Sequence, residues 1–170
     1  MVESDLNRII FSSIRNKSEK NFSEKVSDAS PTQKCFDGIA CFENTYWNIE
    51  SKLIKGDFTS FNFNRIETHQ LKNLTKIKNQ IRETKSVEAV IIVGYFIPRQ
   101  LFGFFIFDID TINYLIEKGI NSLKQKQMKS LKDKFFINIE SIKIAKGKSE
   151  KIVEDIQWYT KIIRREDILL

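Results

Sequence analysis

Apolar residues recur along this chain with two different periods, and the switches between them mark the elements. Residues 36–42 and 45–54 are crowded with Phe, Ile, Tyr and Trp and are divided by Glu43-Asn44, a pair suited to a tight turn. They predict two strands of a hairpin. Ahead of them, Leu6, Ile9, Ile10 and Ile14 keep the three-and-four spacing of a helix over 2–15. Residues 16–34 are polar, contain Pro31, and read as a loop with a short strand near Phe22–Val26. After the hairpin, Ile66, Leu74, Ile77 and Ile81 line one face of a helix over 64–83. Residues 88–97 are almost continuously apolar, the pattern of a strand buried on both faces. Pro98-Arg99-Gln100 turns the chain into a second strand, 101–107. Asp108 or Asp110 then caps a helix running to about Lys118, with Gly119 as its C-cap. Residues 120–134 have helical spacing through Ile120, Leu123 and Leu131, and 135–144 alternate as a strand. Ser149 opens a final helix carrying Ile152, Val153, Ile156, Tyr159 and Ile163.

The coarse order α-β-β-α-β-β-α predicts a mixed central sheet flanked by helices. A chain of 170 residues is expected to form one domain with a real core. Its division is a core over about 1–118 and a basic extension over 119–170. Apolar residues at 41%, with 14 Phe, exclude a disordered composition. The net charge of +6 favours an anionic partner, nucleic acid first and an acidic membrane surface second. Cys35 and Cys41 are too far apart on an extended strand to pair, and read as buried thiols in a reducing compartment. No apolar run is long enough to span a membrane, so a cytoplasmic protein is expected.

The chemistry concentrates in the hairpin. With Glu43 and Asn44 as the loop, Phe42 faces Thr45, and on that register Asp37 faces Glu50. Opposed residues share a face with Cβ atoms roughly 5 Å apart. Lys52, two residues beyond Glu50, lies on the same face. Opposed like charges destabilise a strand pair, and a divalent cation would remove that penalty. Mg²⁺ takes a few carboxylate oxygens and keeps several waters, leaving room for a phosphate. A Lys beside it would orient the attacking water or stabilise charge on the phosphate. The competing reading is a solvated strand face with three scattered charges.

Asp37 followed by Glu50-Ser51-Lys52 resembles the D…(D/E)-x-K signature of the restriction-endonuclease-like, PD-(D/E)xK, nuclease superfamily. Thr59-Ser60-Phe61 and then Ile66-Glu67-Thr68-His69-Gln70 resemble the RecU-type Holliday-junction resolvases. There the acidic-x-Lys strand is followed by a Ser/Thr-Phe segment and a helix opening on His-Gln. Archaeal Holliday-junction resolvases share a looser form. The similarity covers about residues 1–118. It implies a restriction-endonuclease-like core, with Asp37 and Glu50 as metal ligands for Mg²⁺ or Mn²⁺ and the carbonyl of Ser51 as a third. In that superfamily an acidic residue of the first helix joins the metal site, and Glu3 resembles it; the alternative is a first-turn Glu that complements the helix dipole. Lys52 then positions the water nucleophile and Gln70 supports it. Gln70 shares the apolar face of its helix, where an unpaired amide costs about 1–3 kcal/mol, so the sheet edge is expected to supply its partners.

The resemblance implies a metal-dependent DNA endonuclease, a junction resolvase, acting on branched or four-way DNA as a homodimer. A restriction or mobile-element endonuclease with the same core, and a non-catalytic nucleic-acid-binding module, are the alternatives. His69 and Lys72 read as the nucleic-acid side of the second helix. Lys124, Lys126 and Lys129 read either as phosphate contacts or as a solvated face. The C-terminal helix with Trp158 and Tyr159 is the expected dimer contact.

Overall fold

In the computed structural model, residues 2–17, 21–26, 35–42, 44–80, 87–143, 147, 149–153 and 158–168 are described. Four helices are present among them: α1 (Glu3–Lys17), α2 (Thr68–Gln80), α3 (Ile109–Glu117) and α4 (Gln125–Phe135). The strands are β1 (Phe22–Lys25), β2 (Gly38–Phe42), β3 (Thr45–Lys55), β4 (Phe61–Asn62), β5 (Val87–Ile97), β6 (Leu101–Asp108), β7 (Ser122–Leu123), β8 (Ile137–Lys143), β9 (Ser149–Val153) and β10 (Ile162–Ile163). The main sheet runs β1-β2-β3-β5-β6-β8-β9, and β10 also pairs with β6. β3 with β5 and β10 with β6 are parallel; the remaining pairs are antiparallel. The expected mixed sheet flanked by helices is therefore present.

Each face of the sheet carries its own core. Leu6, Ile10 and Ile14 of α1 pack on Trp47, Ile49, Val90, Ile92, Phe104 and Ile106. On the other face Leu74, Ile112, Leu115, Met128 and Leu131 from α2, α3 and α4 pack on Ile91, Val93, Phe105 and Phe107. β5 alternates between the two cores, which is why its sequence is apolar without a break. Leu123, Met128, Leu131, Phe135 and Ile163 bring the C-terminal stretch into the same core. Gly119, at φ +76°, ends α3 as expected, its N–H bonding to the Ile116 carbonyl at 2.9 Å.

Several expectations are corrected. Residues 149–153 are not the start of a helix: they form β9, paired antiparallel with β8 from Ile139↔Val153 to Lys143↔Ser149. Residues 158–161 form only a short 3₁₀ turn. The pairing partner β8 decides the outcome there, and helical spacing in the segment itself carries no information about it. Residues 154–157 and the side chains of Trp158 and Tyr159 lie outside the described set. Cys35 is exposed and Cys41 half-buried, both as free thiols, because β2 begins only at Gly38 and the sheet is thin at that edge. Asp108 occupies the N-cap position of α3 without a side-chain capping bond.

Asp108 instead joins a charge network that ties the C-terminal segment to the sheet. Lys78 Nζ lies 2.7 Å from Glu88 Oε2 and 3.3 Å from Asp108 Oδ1. Arg164 Nη2 lies 2.8 Å from Glu88 Oε1, and its Nη1 3.4 Å from Asp108 Oδ2. Burial alone would raise the Glu88 carboxyl, but bonds and charges from Lys78 and Arg164 outweigh it and hold the group below its ordinary value. Burial wins at Asp108, which is raised despite the same two cations. A depressed carboxyl stabilises the fold above its ordinary range and ceases to do so as the pH falls through its folded value. Arg164→Met is thus expected to lose about 1–2 kcal/mol at pH 7, a figure reduced for the partial exposure of the guanidinium. The deficit should shrink in urea titrations run below the ordinary glutamate range; a deficit independent of pH would assign the loss to packing instead.

Among the described residues no helix is long and apolar enough to cross a membrane.

Candidate active site

The hairpin takes the register that its two-residue loop predicts. Phe42 pairs with Thr45 and Gly38 with Ile49, and Asn44 adopts φ 61°, a turn conformation that Asn tolerates. One residue before β2, where the regular pairing has ended, the Asp37 N–H bonds to the carbonyl of Ile49, the residue that Gly38 faces, at 3.0 Å. Gly38 follows for a steric reason. A Cβ there would press into the Phe11 ring and lie 2.7 Å from the Glu24 carbonyl oxygen, so only glycine lets α1 and β1 close over this strand.

β2 covers only the first half of β3, whereas β5 pairs with β3 from Tyr46 to Lys55. Beyond Ile49 the other edge of β3 is therefore met by side chains. Asp37 Oδ2 accepts the Ser51 N–H at 2.9 Å. Glu3 Oε1, from the first turn of α1, accepts the Leu53 N–H at 3.1 Å. Arg65 Nη2 donates to the Leu53 carbonyl at 2.8 Å and lies 3.4 Å from Glu3 Oε1. The N–H and C=O of one strand residue point the same way, so the Ser51 carbonyl faces this edge too, between the two carboxylates.

Glu50 and Lys52 project on the α2 side of the sheet, the side that also receives Ile54. Lys52 Nζ donates to Glu50 Oε1 at 2.7 Å. Glu50 is 1% exposed and Lys52 7%, so the pair is almost wholly out of water. The repulsion expected between Asp37 and Glu50 is thus relieved within the protein, by a lysine on one carboxylate and a peptide N–H on the other.

The expected residues are not all drawn into one cluster. Asp37, just before β2, meets the Ser51 N–H at the edge of β3, and Glu50 meets Lys52 on its α2 side. Glu3 reaches the same edge at Leu53, two residues further along. Gln70 is buried, and its Oε1 accepts the Glu67 N–H at 3.0 Å, the bond of a capping box at the start of α2. His69 Nδ1 lies 3.3 Å from Glu67 Oε2. With Lys72 it lines an open cleft that also takes in Asn64 and Asn121. Lys124, Lys126 and Lys129 are exposed at and along α4, whose buried face is Met128, Leu131 and Phe135. Among the described residues no three His, Cys, Asp or Glu side chains are grouped closely enough to form a cation cage. Arg65 is the participant that sequence reasoning missed. Only the pairing of β4 with β7 and the 3₁₀ turn over Phe63–Arg65 bring it to β3.

No family model matches the chain, and no curated protein matches it. Among solved structures it is similar to Archaeoglobus fulgidus Hjc, a Holliday junction resolvase from an archaeal hyperthermophile, at 18% identity and a TM-score of 0.41. That likeness covers 64% of this chain and 75% of the other. The chemistry therefore has to stand on the geometry of the site.

Proposed function

We propose that this protein is a metal-dependent DNA endonuclease, with a four-way junction as its preferred substrate. One observation carries the proposal. At the half-covered edge of β3, Asp37 accepts the Ser51 N–H at 2.9 Å, and the adjacent Glu50 holds the buried Lys52 ammonium at 2.7 Å. An all-oxygen donor set of this size suits Mg²⁺ or Mn²⁺, which keep waters and leave room for a phosphate. Asp37, Glu50 and the Ser51 carbonyl would hold the ion. When bound, it supplies a more acidic water and neutralises charge on the phosphate.

The chain's own groups do the remainder. Asp37, fixed by the Ser51 N–H, and Glu50, fixed by Lys52, present their oxygens without needing to reorganise. Lys52, held on Glu50, would orient the attacking water. The water oxygen bonds to phosphorus, one P–O ester bond breaks, and the departing oxygen takes a proton, giving an alcohol and a phosphate monoester. Gln70 serves the site by fixing the first turn of α2. Exposed Lys72, Lys124, Lys126 and Lys129 supply the cationic approach, with His69 beside Lys72. Junction resolution requires paired cuts in symmetric strands, hence two sites related by a two-fold axis in a homodimer.

A cleavage assay with a four-way junction, a linear duplex of the same arms and a single strand tests this reading. Paired nicks in the junction with Mg²⁺, and none in EDTA, are expected. Sequence-specific cutting of the linear duplex would favour a restriction-type or mobile-element enzyme with the same core. Tight binding with no cutting in Mg²⁺ or Mn²⁺ would reduce the protein to a binding module and overturn the nuclease assignment.

A further inference from the structure

The Arg65 guanidinium has a place at the site that the proposed hydrolysis does not use. Its segment is held firmly. The Asn62 side chain accepts the Asn64 N–H at 2.9 Å, the Phe63 N–H bonds to the Asn121 carbonyl at 3.0 Å, and the Phe63 ring is buried. From this base Arg65 and Glu3 close the Leu53 peptide unit as a neighbouring strand would, one taking its C=O and the other its N–H. Both side chains nevertheless remain 41% exposed. Among the described residues only Nη2 of Arg65 has a hydrogen-bond partner, so a guanidinium with five N–H donors keeps most of them at the mouth of the site.

Leu53 is two residues beyond Ser51 on the same strand edge, about 7 Å away. A nucleic-acid backbone that brings one phosphate to Asp37 and Ser51 must carry its neighbour past this point. Asp37, Glu50 and Glu3 make the edge acidic, and Lys52 is spent on Glu50, so a second phosphate meets repulsion unless a cation stands there. A planar fork fits a phosphate better than an ammonium does. The geometry points to Arg65 as the residue that grips the phosphate next to the one being cut, with Glu3 as its positioning residue through Leu53 and not as a metal ligand. Which phosphate is cut rests on the nuclease reading; the grip itself does not.

The test is DNA binding against salt, in EDTA, for the wild type and Arg65→Gln, which removes the charge. The slope of log affinity against log salt should fall by about one unit in Arg65→Gln and return in Arg65→Lys. An unchanged slope in Arg65→Gln overturns the proposal and leaves Arg65 a structural brace. Should Arg65→Gln not fold, the wild type's slope on DNA with one neutral methylphosphonate beside the cleaved bond decides, and no drop overturns the contact. Glu3→Gln should leave the Mg²⁺ concentration for half-maximal cutting within about twofold of wild type; the tenfold or greater rise typical of a lost ligand would restore Glu3 to the metal. A wild type that binds but never cuts would sink the nuclease reading alone, since the salt slope is measured without metal.

Discussion

Asp37→Asn is expected to bind DNA as the wild type does and to cut it at least about 10³-fold more slowly, the loss of several kcal/mol that accompanies a weakened metal site. The fold should be indifferent to the change. An Asn oxygen still accepts the Ser51 N–H that Asp37 Oδ2 takes at 2.9 Å, and the Asp37 backbone bond to Ile49 is untouched. Glu50→Gln should lose as much activity and behave differently in stability. It strands the Lys52 ammonium in a site 7% exposed, and a buried pair that loses one partner costs about 3–5 kcal/mol. Cleavage rates across a Mg²⁺ titration, with urea unfolding in EDTA, separate the two variants. Wild-type cutting by either one removes that carboxylate from the metal site.

Lys52→Met is the converse experiment. It should slow cleavage by about 10²–10⁴-fold, the range for a group that handles a proton or orients the nucleophile. It also leaves the Glu50 carboxylate, 1% exposed, without the ammonium now 2.7 Å away. In EDTA a loss of about 3–5 kcal/mol is expected, or a melting point lower by roughly 6–20 °C. Mg²⁺ should return part of it, because an ion that binds only the folded site stabilises by mass action. The double variant Lys52→Met/Glu50→Gln should be more stable than either single one, since the two positions are directly coupled. Unaltered melting of Lys52→Met in EDTA would mean that the pair is not closed in solution.

The hairpin could be read from sequence because a two-residue loop leaves no freedom in register, and strand alternation then assigns faces. That Glu50 and Lys52 share a face follows from parity alone. Continuous hydrophobicity placed β5 for an equally local reason. What escaped is what depends on contacts between distant segments. Residues 149–153 carry apolar residues at helical spacing, yet β8 captures them as β9. Nothing near Arg65 in sequence points to Leu53, and nothing links Lys78, Glu88, Asp108 and Arg164 before the sheet is assembled. From its apolar face, Gln70 is expected to find its partners at the sheet edge. Its helix supplied one at Glu67, since a cap is available as soon as the first turn forms.

The half-covered strand has a consequence for how this protein coexists with copies of itself. An uncovered strand edge is a template onto which another chain can add, and natural sheets guard such edges with charge. Here the N–H groups of Ser51 and Leu53 are already taken by the carboxylates of Asp37 and Glu3, and the Leu53 carbonyl by Arg65. An incoming strand would have to displace three charged side chains to reach the backbone. The edge is thereby closed to β-addition, so the side chains that cap its backbone also keep the sheet from growing.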